Sequence, residues 1–171
     1  MPYNPLKSLN PESQEGAMNE SKSRQLDGRS WAIFFVRCVL GLIFFMAGWW
    51  KTFDLGPLEH ARRLFVEPYA DTWLPAWLLW ASGTVIPVVE LVAGALMCLG
   101  LRVREAGIAI GFILIVVDYG HLLKEALFDT THHIFPRLVL LTFVLAAPAG
   151  RDLLSLDAWL SRRYERASTG T

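Results

Sequence analysis

A chain of 171 residues, 53% of them hydrophobic and with a positive mean hydropathy, fits one small polytopic membrane domain and not a soluble multidomain protein. Its 16 Lys and Arg cancel its 16 Asp and Glu, and with no basic patch beyond the membrane flanks this excludes a nucleic-acid partner. No Walker loop, dinucleotide fingerprint or nucleophile elbow is present, which excludes a self-contained enzyme of the soluble type.

Residues 1–30 are polar and of mixed charge, cannot bury enough surface to order themselves, and read as a flexible tail. The first apolar run, Trp31 to Trp50, has no small-residue cleavage site after a short core and so reads as a retained span. It contains Arg37 and ends on Trp49, Trp50 and Lys51, an aromatic and cationic anchor at headgroup level. Beyond Pro57 a short helix places Leu58, Ala61, Leu64 and Phe65 on one side, to lie on the membrane surface.

Ala76 to Leu101 is an apolar run of about 26 residues, long enough as a helix to cross a ~30 Å hydrocarbon core. Near its middle stands Glu90, three residues after Pro87 and four before Gly94. A carboxylate costs at least ~2.5 kcal/mol at a helix centre, so Glu90 is expected to face protein or water. The tight basic turn Gly100-Leu-Arg-Val-Arg104 makes the third span an antiparallel neighbour. That span, within Glu105 to Phe128, sets Asp118 and His121 on one helix face and offers Gly107, Ala109 and Gly111 for close approach. Ile134 to Ala147 supplies only about 14 residues for a fourth span, near the length of a re-entrant segment.

Charge counting favours four crossings with both termini cytoplasmic. Lys22, Arg24, Arg29, Arg102, Arg104, Arg151, Arg162, Arg163 and Arg166 then flank the inner side, against Lys51, Arg62, Arg63 and Lys124 outside. Leu153, Leu156, Trp159 and Leu160 form an apolar stripe beside the last arginines, an amphipathic helix for the inner leaflet. The expected protein is all-α: a polar cytoplasmic tail (1–30), a four-transmembrane-helix bundle (31–150) and an amphipathic cytoplasmic tail (151–171), with short surface helices.

Three pieces of the chain resemble the DoxX-like membrane proteins, relatives of DoxD, the small subunit of thiosulfate:quinone oxidoreductase. They are Arg37-x3-Gly41-Leu-Ile-Phe-x3-Gly48-x2-Lys51, Glu90-x3-Gly94-x5-Gly100-Leu-x2-Arg104, and Gly150-Arg151 followed by Ser155-Leu156-Asp157. Their order and spacing carry the resemblance over roughly residues 31–160. It implies a four-helix bundle in a bacterial cytoplasmic membrane, an association with thiosulfate or thiol redox chemistry, and a quinone as cofactor.

Depth along the spans ranks the ionisable residues. At 1.5 Å per residue, Arg37 lies roughly 9 Å from the cytoplasmic edge, Glu90 about 16 Å and Asp118 about 20 Å, with Arg137 entering from the outer end. Two readings follow. In one, Arg37–Glu90 and Arg137–Asp118 are interhelical ion pairs that fix bundle register. In the other, Glu90, Asp118, Arg37 and Arg137 are catalytic: the carboxylates exchange protons beside a quinone headgroup, an arginine binds an anion, and His121 and Lys51 contact the cofactor. His60, His121, His132 and His133 all map to the outer side; His132-His133 lacks the spacing that aims two rings at one ion, so no metal site is expected and solvated loop histidines are. Cys38 and Cys98 read as buried, inert thiols.

The function this implies is a membrane subunit of a redox system, passing electrons from a soluble sulfur- or thiol-linked donor protein to the quinone pool. A non-catalytic anchor, assembly factor or chaperone is the alternative, while a transporter is disfavoured by the lack of an inverted repeat. The expected partners are the bilayer, a membrane or peripheral protein, and a second copy of the chain.

Overall fold

The structure, a computed structural model, describes residues 28–125, 132–148 and 152–168. Most of the polar N-terminal segment and the Gly150-Arg151 pair lie outside the described residues. Helix α1 runs Gly28–Trp49 and continues as one wide π-type turn, Trp50–Asp54. Gly56, at φ 86°, breaks it, and Pro57 at the first helical position starts the short α2, Pro57–Ala61, itself extended by a π-type turn Arg62–Val66. Then come α3 (Ala76–Leu99), α4 (Val103–Lys124), α5 (Ile134–Ala146) and α6 (Leu156–Ser168). The described residues contain no strand.

Among the described residues, three helices are long and apolar enough to cross a membrane: the continuous α1 rod Gly28–Asp54, α3 and α4. Between 28% and 39% of each is buried inside the molecule while the remaining faces stay apolar, which is how a bundle solvated by lipid is built. All seven tryptophans are exposed. The protein is therefore an integral membrane helical bundle. Its fourth helix, α5, has 13 residues. It packs on α1 and α4, but at ~1.5 Å per residue its length falls short of the hydrocarbon thickness, because the chain leaves helical geometry at Ala147 before Pro148.

The most extensive pair is α1 with α3. Gly41 lies against Gly94 and Cys98, and Gly48 against Pro87 and Leu91, so close that a methyl group on Gly41, Gly48 or Gly94 would overlap the facing backbone. Leu40, Phe44, Ile86, Met97, Ile110, Leu114 and Leu141 fill the centre. Leu141 and Leu145 of α5 pack against Gly107 of α4, as the small-residue pattern there predicts.

Gly100 takes the left-handed conformation (φ 70°) that ends α3, and Leu101 N donates to Leu96 O at 3.0 Å to close the turn. The C-terminal segment docks on this turn. Asp157 N donates to Gly100 O at 3.0 Å, the Asp157 carboxylate accepts from Val103 N at the start of α4 (3.4 Å), and Ser155 caps α6 by accepting from Ala158 N at 3.1 Å. The Gly100 and Ser155-Leu156-Asp157 pieces of the sequence pattern thus meet in space.

α2 differs from its expected role as a surface float. Leu58 and Leu64 are exposed, while His60 and Ala61 are buried. The cause is Gly83: its missing side chain lets Ala61 press directly on the α3 backbone, which turns α2 onto its His60–Ala61 side.

Candidate functional site

Two clusters of buried polar groups occupy opposite ends of the bundle, one at the α3–α4 turn and one where α1 meets α2. At the second, Lys51 Nζ donates to Glu90 Oε2 at 2.6 Å. Glu90 is buried (6% exposed) and Lys51 is 20% exposed. Lys51 reaches Glu90 because α1 does not end at Trp50: the π-type turn carries it one turn further, and the apolar stem of the lysine runs inward along the bundle. Arg137 of α5 adds a second positive field at Glu90.

The pairing expected for Arg37 and Glu90 is corrected by this geometry. Gly48 lies against Pro87 and Leu91, so the level of Glu90 on α3 is that of Gly48 on α1, some three helical turns beyond Arg37. Arg37, fully buried, works at the other end. It donates through Nη1 to Met97 O (2.5 Å) and Cys98 O (2.8 Å), carbonyls of the last turn of α3, and through Nη2 to Leu154 O (3.2 Å), while Nε lies 3.0 Å from the Asp152 carboxylate. Burial pushes the Asp152 carboxyl above the usual carboxylate range, against the pull of Arg37. One guanidinium therefore ties α1, the end of α3 and the C-terminal segment together.

The Arg137–Asp118 pair is not formed either. Arg137 donates instead to His133 O, one turn back on its own helix, and Asp118 holds a buried oxygen, Oδ1, without a hydrogen-bond partner among the described residues. Arg137 is committed to that carbonyl and adds to the field at Glu90, and no ion pair with Asp118 forms among the described residues.

His60 corrects the expectation of solvated histidines; His132 and His133 remain exposed. Pro87 has no N–H, so the carbonyl four residues earlier, Gly83, loses its helical donor. His60 Nδ1 lies 2.7 Å from that oxygen and supplies the missing hydrogen bond. An acceptor there requires the proton on Nδ1, which leaves Nε2 of the neutral ring as an acceptor. Burial, with the nearby charge of Lys51, holds the His60 pKa below its ordinary value, against the pull of the Gly83 bond.

Lys51 and His60 line a cavity of about 500 Å³ between α2, α3 and α4. Its walls are Leu64, Phe65, Tyr69, Leu74, Leu78, Leu79, Ser82 and Ile86 on one side and residues 115–117 with Tyr119, Gly120 and His121 on the other. His121 Nδ1 is 2.8 Å from Val117 O one turn back, which orients its ring. Tyr69 is half-buried, burial raises its pKa, and the ammonium of Lys124 stands 5.5 Å over its ring. An apolar enclosure of this size with a few convergent polar groups is the common form of a small-molecule site. Sequence-selected Lys51 and His121 share it and Glu90 stands directly behind Lys51, whereas Asp118 is not among the wall residues although Val117 and Tyr119 are. His60 and Tyr69 are additions: the sign for His60 was Pro87 four residues after a glycine, whereas nothing in the sequence singled out Tyr69.

Cys38 and Cys98 are free and only partly buried, and they face each other across the α1–α3 contact, each Sγ 3.9–4.0 Å from the other's carbonyl oxygen.

No curated protein and no solved structure matches the chain at a significant level. The DoxX family model matches residues 32–119, from the second turn of the described α1, through Arg37, Lys51, His60 and Glu90, to the cavity wall at Tyr119. With more than half its length matched, this chain belongs to the DoxX family.

Proposed function

We propose that this DoxX-family chain is the membrane subunit of a quinone-linked redox system, and that the headgroup of a quinone enters the cavity beside Lys51. The observation that carries the reading is the cavity itself: apolar walls around a lysine, two histidines and two tyrosines, with a carboxylate 2.6 Å behind the lysine. The donor set fits a flat ring with carbonyl oxygens at its rim, which calls for donors such as Lys51 Nζ and the Tyr69 hydroxyl, and whose reduced hydroxyls call for an acceptor such as His60 Nε2. The quinone would supply the electron-accepting chemistry, and the electrons would come from the cofactor of a soluble sulfur- or thiol-linked partner protein.

The chain's own residues bind, orient and manage protons. Lys51 holds a carbonyl oxygen, Glu90 carries or releases a proton along its short bond to Lys51, and His121 and Asp118 offer a further route from the same end of the bundle. Arg137 offsets the charge of Glu90. Arg37 acts at the far end as a positioning residue. The Lys and Arg distribution supports a topology with the α3–α4 turn and both termini on the cytoplasmic side of a bacterial inner membrane and the cavity in the outer half.

Purification in mild detergent, followed by extraction and mass analysis of bound quinone alongside identification of partner chains, tests the reading. Bound quinone and a redox partner are expected, and Lys51→Met is expected to lose the quinone while keeping the fold. Partner chains without quinone in the wild-type preparation would favour an anchor or assembly role instead.

A further inference from the structure

The cavity does not end where its polar groups end. An apolar groove of about 400 Å³ between α3 and α4, lined by Ala81, Val85, Val89, Ala109, Phe112 and Ile113, shares Ser82, Ile86 and Val116 with it as walls. The shared walls set the two spaces side by side. Along α3 the groove runs from Ser82 to Val89, ~10 Å at 1.5 Å per residue, and along the antiparallel α4 from Val116 back to Ala109, so it descends from the cavity toward the middle of both helices. Its only polar side chain is Ser82, at the junction. The lysine, histidine and tyrosine side chains all stand at one end of this path and none at the other.

We propose that the groove is the subsite for the tail of the cavity's ligand, and that the site takes an amphiphile: a polar ring seated beside Lys51 whose long prenyl chain leaves between α3 and α4. The inference rests on the headgroup reading above and adds where the tail goes. A ring without a tail would need the cavity alone. A tailed ring must send its chain out, and the groove is the apolar way out that continues the cavity's own walls. Lipid is as apolar as the groove, so the groove selects by shape: small Ala81 and Ala109 open it, while Phe112 and Val85, both more than half exposed, bound it toward the bilayer. The tail then fixes which edge of the ring meets Lys51.

Photolabelling of the full-length protein in lipid nanodiscs tests this with a quinone carrying a diazirine on its prenyl tail. The expected result is that label falls on residues 81–89 and 109–116, that excess tail-less quinone suppresses it, and that Ala109→Phe loses it. Val85→Trp, on the lipid-facing rim where folding is not at risk, is expected to lose it as well. If tail-less quinone binds saturably while the label spreads over α1 and α5 as well, the tail subsite is wrong and the headgroup site stands. Confined labelling that tail-less quinone does not suppress, and that a diazirine fatty acid reproduces, makes the groove a seat for a lipid acyl chain and overturns the proposal. Absence of saturable tail-less binding removes the headgroup reading, and the tail inference with it.

Discussion

The α1 rod, Gly28–Asp54, carries Arg37 in its first half and Lys51 near its far end, and the two cations are held in opposite ways. Arg37 is enclosed completely, with three N–H groups on backbone carbonyls and its Nε beside the Asp152 carboxylate. Lys51 has one partner among the described residues, keeps some exposure and opens onto a cavity. A guanidinium held by three carbonyls and a carboxylate fixes geometry and has little left to offer a ligand, whereas an ammonium with one short bond can exchange partners. Buried charge in a membrane bundle is therefore not uniform in meaning; the count of its committed hydrogen bonds separates the joint from the working site.

The comparison is broken most forcefully at Arg37. Replacing it by Met leaves the Asp152 carboxylate half-buried beside no cation and opens the carbonyls at the end of α3, at an expected cost of ~3–5 kcal/mol. Arg37→Met should therefore cut accumulation in the membrane and lower the detergent melting temperature sharply, and Arg37→Lys should rescue only part of the loss because one ammonium cannot span the same acceptors. A mild effect on the fold together with a loss of quinone would mean that Arg37 belongs to the working site.

At the other end the cost should be smaller, ~1–3 kcal/mol, because one hydrogen bond is lost there against three hydrogen bonds and an ion pair at Arg37. Lys51→Met and Glu90→Gln should each destabilise the protein in detergent, with the double variant recovering part of the sum. Glu90→Gln combined with Arg37→Met should instead add without recovery, since the two sites are some three turns apart. Recovery in that second pair would restore the Arg37–Glu90 pairing that the depth argument favours and the geometry rejects.

The two ends also differ in how far they could be read from the chain. The helices, the apolar α1–α3–α4 bundle and the membrane setting follow from hydropathy and small-residue spacing, which are local properties. Lys51 and His121, both candidates from the sequence, line one cavity because both fall at one end of their spans. Partnership was less legible. Depth measured from assumed span edges put Arg37 opposite Glu90 because it set the start of α1 level with the end of α3, whereas α3 ends at the level of Arg37, whose guanidinium reaches the Met97 and Cys98 carbonyls. The partner of Arg37, Asp152, comes from the far end of the chain and lies beyond the transmembrane segments, where no periodicity links it to α1. α5 was read at nearly its true length, and the inference that it crosses fully rested on charge alone.

The gentlest probe concerns the seam between the cavity and α3. His60 Nδ1 takes the place of the N–H that Pro87 lacks, so the two residues should be coupled although they do not bond to each other. His60→Ala leaves the Gly83 carbonyl short of a donor, an expected loss of about 1 kcal/mol. In a Pro87→Ala background the helix provides its own N–H to Gly83, so the same His60→Ala change should cost less, and a double-mutant cycle read by detergent melting measures the difference. The seam should also be acid-sensitive. The His60 pKa lies below its ordinary value of 6.5 in the fold, so the unfolded chain takes up a proton that the folded one resists. That contribution is complete above about pH 6.5 and is lost as pH falls from there toward the folded value, so the melting temperature should drop on going from about pH 7.5 to about pH 5.5. His60→Gln, which keeps an amide donor for Gly83 and cannot titrate, should flatten that drop. An acid response equally steep in His60→Gln would move the sensitivity to another group and leave the histidine as a helix-mending contact only.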